Sequence, residues 1–269
     1  MRIDILTLFP EMFTGVLSSS ILKRAQDKGL VSYHLHQLRD FTKDPHRKVD
    51  DRPFGGGPGM VIMCQPVIDA VNAIEAQDTA APTRILLAPT GEPFTQRMAE
   101  ELSRQPRLLL IAGHYEGFDE RIHEMLKPKE ISVGDYILSG GELPAMTVID
   151  SVVRLLPGVL GDDQSPHGES FSAADATING GLEYPHYTRP REYEGRSVPE
   201  ILFSGNHGAI EAWRREQAKN RTAARRPDLK KDCVIESLLI EPLKHRPMTQ
   251  STMIQSLNPR HPPGSRTVD

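Results

Sequence analysis

Four glycine-rich segments carry the strongest chemical signal in this chain of 269 residues. They cover residues 54–60, 88–91, 112–117 and 132–144. Three of them directly follow predicted strands, and in open α/β sheets the ligand crevice lies at the carboxyl ends of the strands. Glycine there lets the backbone approach a ligand closely. Together the segments predict a ligand site at one edge of a sheet.

The same segments exclude several common ligands. No Lys-Ser or Lys-Thr follows these glycines, so they form no phosphate-binding P-loop. Residues 55–57 do not extend to the G-x-G-x-x-G pattern of a dinucleotide site, and no G-x-S-x-G nucleophile turn is present. His34 and His36 fall on one side of a predicted strand, which is a weak signal for a metal. We expect no metal site in the protein.

Arg154 is a second chemical signal, because it is a lone charge in an apolar sequence. Val152 and Val153 precede it, and Leu155 and Leu156 follow it. An arginine buried without a partner is costly. Its guanidinium must therefore face a cleft, a carboxylate or solvent.

The elements that position these residues alternate between strand and helix. The sequence predicts strands at 2–9, 31–38, 84–88, 107–111 and 129–133, and helices at 20–28, 95–103, 142–156 and 206–220. The runs at 84–88 and 107–111 are continuously apolar, which is typical of strands buried on both faces. The pattern predicts an α/β domain with a mostly parallel sheet over residues 1–160.

Composition changes after residue 160. Residues 161–181 have few large apolar side chains and read as a flexible interdomain linker. Residues 182–245 are predicted to form a smaller, mainly helical domain, and residues 246–269 a disordered tail. The net charge is −9 over residues 1–183 and +5 over residues 184–231. This split indicates that only the second part faces a polyanion.

Other sequence features define the setting. No apolar run reaches the length of about 18 residues that a membrane-spanning helix needs. The first residues contain an acid and no cleavage site, so they read as a strand and not as a signal peptide. Cys64 and Cys233 cannot form a disulfide framework. We expect a cytoplasmic protein with no membrane partner.

The motifs together resemble the bacterial tRNA (guanine-N1)-methyltransferase family. The resemblance runs in order through residues 1–231 and is carried by the segments 51–60, 113–121, 132–144, 185–190 and 202–207. It implies a homodimer whose α/β domain contains a trefoil knot, and a methyl transfer from S-adenosylmethionine to N1 of the guanosine at position 37 of tRNA. It implies no DNA partner, and Mg²⁺ is a second candidate cofactor.

The resemblance also assigns site residues. Arg154 matches the arginine proposed to stabilise guanine O6, and Glu169 stands where the family has the aspartate proposed as the general base. Because this linker differs from the family pattern, Asp163 and Asp175 are rival bases. The residues assigned to the cofactor are Leu87, Pro89, Gly113, Glu116, Val133, Gly134, Asp135, Tyr136, Ile137, Leu138, Gly140, Gly141 and Pro144.

Further assignments concern the RNA. His114 stands where the family often has an arginine, and Glu116 could read a guanine edge. Asp50 and Arg52 are candidate base or phosphate contacts, or a surface pair. The residues expected to hold the tRNA backbone are Arg189, Arg214, Arg215, Arg221, Arg225 and Arg226.

Two alternatives stay open at this point. One is a related knotted methyltransferase that acts on a different RNA position. The other is an RNA-binding relative that has lost its base and no longer catalyses methyl transfer.

Overall fold

The computed structural model describes residues 1–160, 169–172 and 178–229. The described residues belong to one compact unit. The predicted tail at 246–269 and most of the predicted linker lie outside the described residues. No helix among those described is long and apolar enough to cross a membrane.

A five-stranded parallel sheet forms the centre of the fold. Its strands are β1 (Arg2–Thr7), β2 (Ser32–Gln37), β5 (Thr83–Pro93), β6 (Arg107–Ala112) and β7 (Lys129–Ser132), in the order β2-β1-β6-β5-β7. Every neighbouring pair is parallel. The predicted α/β class with a mostly parallel sheet is confirmed. Two-residue strands β3 (Asp50–Asp51) and β4 (Val61–Ile62) pair with each other.

Both faces of the sheet are covered by helices. On one face, Leu108 and Leu110 of β6 pack in a core with α2 (Ser20–Asp27), α4 (Gln96–Ser103) and α6 (Glu142–Val153). On the other face, Leu109 and Ile111 pack with α3 (Cys64–Glu75) and α5 (Glu120–Leu126). All six residues of β6 are buried. After Arg107, the sequence of β6 is continuously apolar because successive side chains point to opposite faces of the sheet and helices cover both faces.

The sequence patterns missed two helices and shifted several boundaries. Helices α3 and α5 were not predicted, and α1 (Thr14–Leu17) is a single turn. The first strand ends at Thr7 and not at residue 9, because a 3₁₀ turn begins at Pro10. Proline has no backbone N–H to donate to a sheet and is well suited to the first turn of a helix.

A buried charge cluster closes the amino-terminal edge of the sheet. Arg107 Nε donates to Asp4 Oδ2 at 2.9 Å, and both side chains are almost fully buried. Arg2 and His36 also bond to the Asp4 carboxylate. Burial raises the pKa of this carboxyl, but the hydrogen bonds from its three partners outweigh burial and hold the pKa well below its ordinary value. The cluster is therefore a fully partnered structural element.

The basic part of the chain is organised by one long helix among the described residues, α7 (His207–Arg225). The Asn206 side chain accepts from the N–H of Ala209 and caps the helix. Thr222 is buried and its Oγ1 accepts from the N–H of Leu182 at 2.8 Å, which fixes α7 to the preceding segment. Strands β8 (Glu192–Tyr193) and β9 (Arg196–Ser197) form a short hairpin before it.

Candidate active site

Three glycine-rich loops meet at the carboxyl-terminal edge of the sheet and enclose a cavity of about 490 Å³. They are the loops at 88–91 within β5, 113–117 after β6 and 133–141 after β7. A cavity of this size lies in the range of small-molecule sites. The structure thus brings together the three strand-end segments that the sequence singled out.

A break in the pairing of β5 shapes one wall of the cavity. The strand pairs with β7 up to Leu87, and pairing resumes at Glu92 opposite the same residue, Ile131. The intervening residues leave the ladder, and Pro89 and Thr90 line the cavity. At Gly91 a Cβ atom would lie 2.4 Å from the backbone nitrogen of Ile131, so the close contact between the β5 and β7 backbones at this position requires glycine.

The loop at 133–141 is tied back onto the end of β6. The N–H of Gly141 donates to the carbonyl of Gly113 at 2.8 Å, and Gly140 forms a bridge with His114. A Cβ on Gly141 would lie 2.8 Å from Ala112 Cα and from the Gly113 nitrogen. The approach of two backbones is therefore possible only without a side chain at this position.

The fourth glycine segment joins the same site at its rim. The N–H of Glu116 donates to the carbonyl of Met60 at 3.0 Å. Gly59 has a φ of +80°, and a Cβ there would collide with the Glu116 side chain. The segment at 54–60 therefore packs against a residue that lines the cavity, and Phe54 at its tip is fully exposed.

A polar network that the sequence did not reveal lies beside the cavity. The Glu142 carboxylate is buried and accepts from Thr7 Oγ1 at 2.6 Å. Its second oxygen lies 2.7 Å from His114 Nε2. An acid in the first turn of a helix is ordinary, because it complements the helix dipole. The sequence therefore gave no signal that Glu142 orients a cavity residue 28 positions earlier.

Twelve of the thirteen residues assigned to the cofactor line this one cavity. The exception is Asp135, which is exposed in the same loop but is not among the lining residues. Several polar side chains also line the cavity without having been predicted. They are Thr90, Glu120, His123, Glu130, Ser132 and Ser139.

Arg154 and Glu169 form a bidentate ion pair. Arg154 Nη1 donates to Glu169 Oε2 at 2.6 Å, and Nη2 donates to Oε1 at 2.5 Å. These hydrogen bonds raise the pKa of the Arg154 guanidinium, against the effect of burial. About a quarter of the arginine side chain and a third of the glutamate remain exposed, at 26% and 31%. The lone charge of the apolar helix end thus faces a carboxylate. The rival bases Asp163 and Asp175 lie outside the described residues.

The ion pair is separate from the glycine cavity within this chain. Neither Arg154 nor Glu169 lines it. Arg154 caps the carboxyl end of α6, whereas Pro144 of the same helix lines the cavity. Ten residues of α-helix rise by about 15 Å. The two predicted halves of the site are therefore at opposite ends of α6.

Three of the basic residues assigned to RNA have contacts within the chain. Arg226 forms an ion pair with Asp228, and Arg221 donates to the carbonyl of Glu183. Arg214 lies over the ring of Tyr184 at 4.7 Å. Asp50 lies in β3 and Arg52 follows that strand.

The described part of the chain contains no group of three or more His, Cys, Asp or Glu side chains placed to hold a metal ion.

Comparisons with known proteins cover most of the chain. Residues 1–232 match the sequence model of the family described as "tRNA (Guanine-1)-methyltransferase TrmD". A relative from Bacillus subtilis (strain 168), named "tRNA (guanine-N(1)-)-methyltransferase", is 56% identical over 86% of this chain and 93% of its own length. Relatives of the same name from Geobacillus kaustophilus and Rhodopirellula baltica are 57% and 53% identical, each over 85% of this chain and 91% and 93% of their own lengths.

Proposed function

The chain belongs to the tRNA (guanine-1)-methyltransferase family, and we propose that it transfers a methyl group from S-adenosylmethionine to N1 of the guanosine at position 37 of tRNA. The family is that of methyltransferases that act on guanine N1 of tRNA. We propose S-adenosylmethionine as the methyl donor and position 37 as the site of methylation. The observation that carries the proposal is the convergence of twelve assigned residues on one cavity.

The chemistry of the cavity fits S-adenosylmethionine. Its walls combine the backbone of the glycine loops with the apolar side chains of Leu87, Ile137 and Leu138. A planar, uncharged adenine needs backbone donors and acceptors and an apolar surface. Gly140 and Gly141 let this loop pack directly on His114 and on the end of β6, because a Cβ at Gly140 would lie 2.3 Å from His114 Nε2 and one at Gly141 would lie 2.8 Å from Ala112 Cα. When bound, this donor supplies a methyl group activated by a positively charged sulfur.

The protein's own task is to make guanine N1 nucleophilic. N1 carries a proton at neutral pH, and negative charge grows on O6 as that proton leaves. A carboxylate that accepts the proton and a cation that binds O6 both lower the barrier. Glu169 and Arg154 supply these two groups. Deprotonated N1 would then be able to accept the methyl group that S-adenosylmethionine, held among the glycine loops, would supply.

The ion pair of Arg154 and Glu169 is complementary to the edge of guanine. The carboxylate offers acceptors and the guanidinium offers donors, held side by side. Guanine presents N1–H as a donor beside O6 as an acceptor. When the base binds, Glu169 can accept from N1–H in place of Arg154, and Arg154 can donate to O6 in place of Glu169. Adenine presents an acceptor at N1 and a donor at N6, which would mismatch both groups. The pair thus discriminates guanine from adenine.

We further propose that the site is completed by a second copy of the chain. Reacting atoms must come within about 3–3.5 Å, whereas α6 separates the ion pair from the cavity of its own chain. Apolar side chains stand exposed beside the cavity, with Tyr136 58% and Ile137 81% accessible. Such exposure is typical of an interaction surface. A homodimer would place the ion pair of one protomer at the cavity of its partner.

Three further features belong to this proposal. The trefoil knot implied by the family is consistent with the return of the loop at 133–141 to the end of β6. Mg²⁺, the second candidate cofactor, would be held with the help of RNA phosphates, as this ion commonly is. The tRNA substrate is consistent with a cytoplasmic location.

The test is methyl transfer from labelled S-adenosylmethionine to tRNA transcripts that carry guanosine or another base at position 37. The wild type should modify only the guanosine transcript. Glu169→Gln should lower turnover by about 10²–10⁴-fold, the range for loss of a general base. Arg154→Ala should lower turnover by about 10²–10³-fold, the range for loss of one stabilising donor. Cofactor affinity should change little in either variant.

Glu124→Gln is the matched control, since this glutamate is exposed and does not line the cavity. Near-normal turnover in Glu169→Gln would move the base to Asp163 or Asp175. A wild type that modifies another nucleotide would support the related methyltransferase. Binding of cofactor and tRNA without transfer would support the non-catalytic relative.

A further inference from the structure

A second cavity, of about 660 Å³, lies in the basic part of the chain. It is formed by residues 184–191, by the 3₁₀ turn at Glu200–Phe203 and by the first two turns of α7. No residue assigned to the cofactor, the general base or the O6 contact lines it. The methyl-transfer mechanism therefore leaves this cavity unexplained.

Its walls include several aromatic side chains, some of them nearly half exposed. The rings of Tyr187 and Trp213 lie 6.4 Å apart between centroids, and Tyr184 lies 4.9 Å from His186. Tyr187 and Phe203 are nearly half exposed, at 48% and 46%. Rings that served only to fill a core would be buried. Exposed rings around a concavity form a stacking surface for a planar group.

The charged side chains around the cavity are mainly positive. Arg191 lies 4.1 Å over the ring of Phe203, and Arg214 lies 4.7 Å over the ring of Tyr184. Within the described residues, neither of these arginines nor Arg189 forms an ion pair with an acid. Glu211 is the acidic residue among those that line the cavity. Stacked on rings, the guanidinium groups keep their N–H donors available for an anion.

We propose that this cavity binds one unpaired nucleotide of the tRNA substrate, with its base stacked on Tyr187 and Trp213 and its phosphate beside the three arginines. The proposal rests on the proposed function, because tRNA is the polyanion that the enzyme must hold. A planar base matches the aromatic walls, and a phosphate matches the arginines. RNA-binding proteins commonly recognise loop bases that are splayed out in this way.

The chain contains its own reporter for the test. Trp213 is its single tryptophan, and it lines the cavity. The intrinsic fluorescence of the full-length protein therefore reports on this cavity. The probe is an anticodon stem-loop RNA, which should quench the fluorescence of the wild type saturably. A parallel titration with free mononucleotides should give far weaker binding, because they lack the remaining backbone contacts.

Tyr187→Ala should weaken binding of the stem-loop by roughly tenfold or more, because stacking contributes about 1–3 kcal/mol per base. The KM for tRNA should rise by a similar factor. Tyr187→Phe, which keeps the ring, should restore both values. Tyr193→Ala is the matched control, since Tyr193 is 65% exposed in the β8–β9 hairpin and does not line the cavity. Arg214→Gln provides a second variant at an exposed position.

Equal stem-loop affinity and equal KM in Tyr187→Ala and Tyr193→Ala would overturn the inference. So would free mononucleotides that quench as strongly as the stem-loop, since the cavity would then be a free-nucleotide site. Should Tyr187→Ala fail to fold, unchanged stem-loop affinity in Arg214→Gln would overturn it equally. Quenching by the stem-loop without any methyl transfer would instead contradict the proposed function and leave the cavity assignment standing.

Discussion

At the amino-terminal edge of the sheet, Arg107 and Asp4 are almost fully buried and bonded to each other, and Arg107 also donates to the carbonyl oxygens of Ile74 and Ala80. At the carboxyl-terminal edge, glycine loops enclose a cavity and Tyr136 and Ile137 stand exposed. The first edge satisfies its polar groups within the chain, so changes there should cost stability. The second edge leaves space and surface for other molecules, so changes there should cost binding.

The largest effect is expected at the partnered edge. Arg107→Met removes the main buried partner of Asp4, and breaking such a pair typically costs about 3–5 kcal/mol. The free energy of unfolding should fall by that amount, as measured by urea denaturation followed by circular dichroism. Arg104→Met is the control, because Arg104 is exposed at the end of α4. A loss below about 1 kcal/mol, the ordinary cost of a point mutation, would show that Arg2 and His36 suffice for Asp4.

A smaller effect is expected at the open edge. Gly141→Ala places a methyl group 2.8 Å from the backbone of Ala112 and Gly113. Overpacking of this kind costs about 1–3 kcal/mol, and we expect it to displace the loop at 133–141. Affinity for S-adenosylmethionine should fall by roughly tenfold, which isothermal titration calorimetry measures.

Gly15→Ala is the matched control for this substitution. Gly15 lies in α1, and a Cβ there would meet no atom within 4 Å. Its cofactor affinity should equal that of the wild type. A Gly141→Ala protein that binds the cofactor within twofold of the wild type would refute the role assigned to this close backbone approach.

The smallest signal comes from mixing two variants. Gly141→Ala damages the cavity but keeps the ion pair, whereas Glu169→Gln keeps the cavity but loses the base. If each site uses the cavity of one protomer and the ion pair of its partner, a mixed dimer regains one working site. Equal mixing should recover about a quarter of wild-type activity at low cofactor concentration. No recovery beyond the sum of the separate variants would place both halves of the site in one chain.

The sequence predicted the elements whose signal is local. Strand β6 and the first half of β5 contain continuous apolar runs because both faces of the sheet are covered there. The strand-end glycines marked the cavity because close backbone approach requires them. Helices α3 and α5 were not predicted, because a short apolar stretch does not by itself distinguish a buried helix from a buried strand.

Only the tertiary structure decided which distant groups meet. The buried Glu142 binds Thr7 and His114, which lie 135 and 28 positions away along the chain. The aromatic cavity of the basic part combines residues from three segments, and no one of these segments alone indicates a cavity. Such contacts depend on the packing of elements against one another, and no local spacing encodes them.

Arg154 shows both sides of this division. Its position as a lone charge among apolar residues is a property of the sequence, and it required that the guanidinium have a partner or a cleft. That the partner is Glu169, and that α6 holds the pair about 15 Å along its axis from the cavity, follows from the folded chain. Sequence determined which groups could do the chemistry, because residue type and local burial are local properties. Their separation was decided by the fold, because it depends on how one helix spans the sheet.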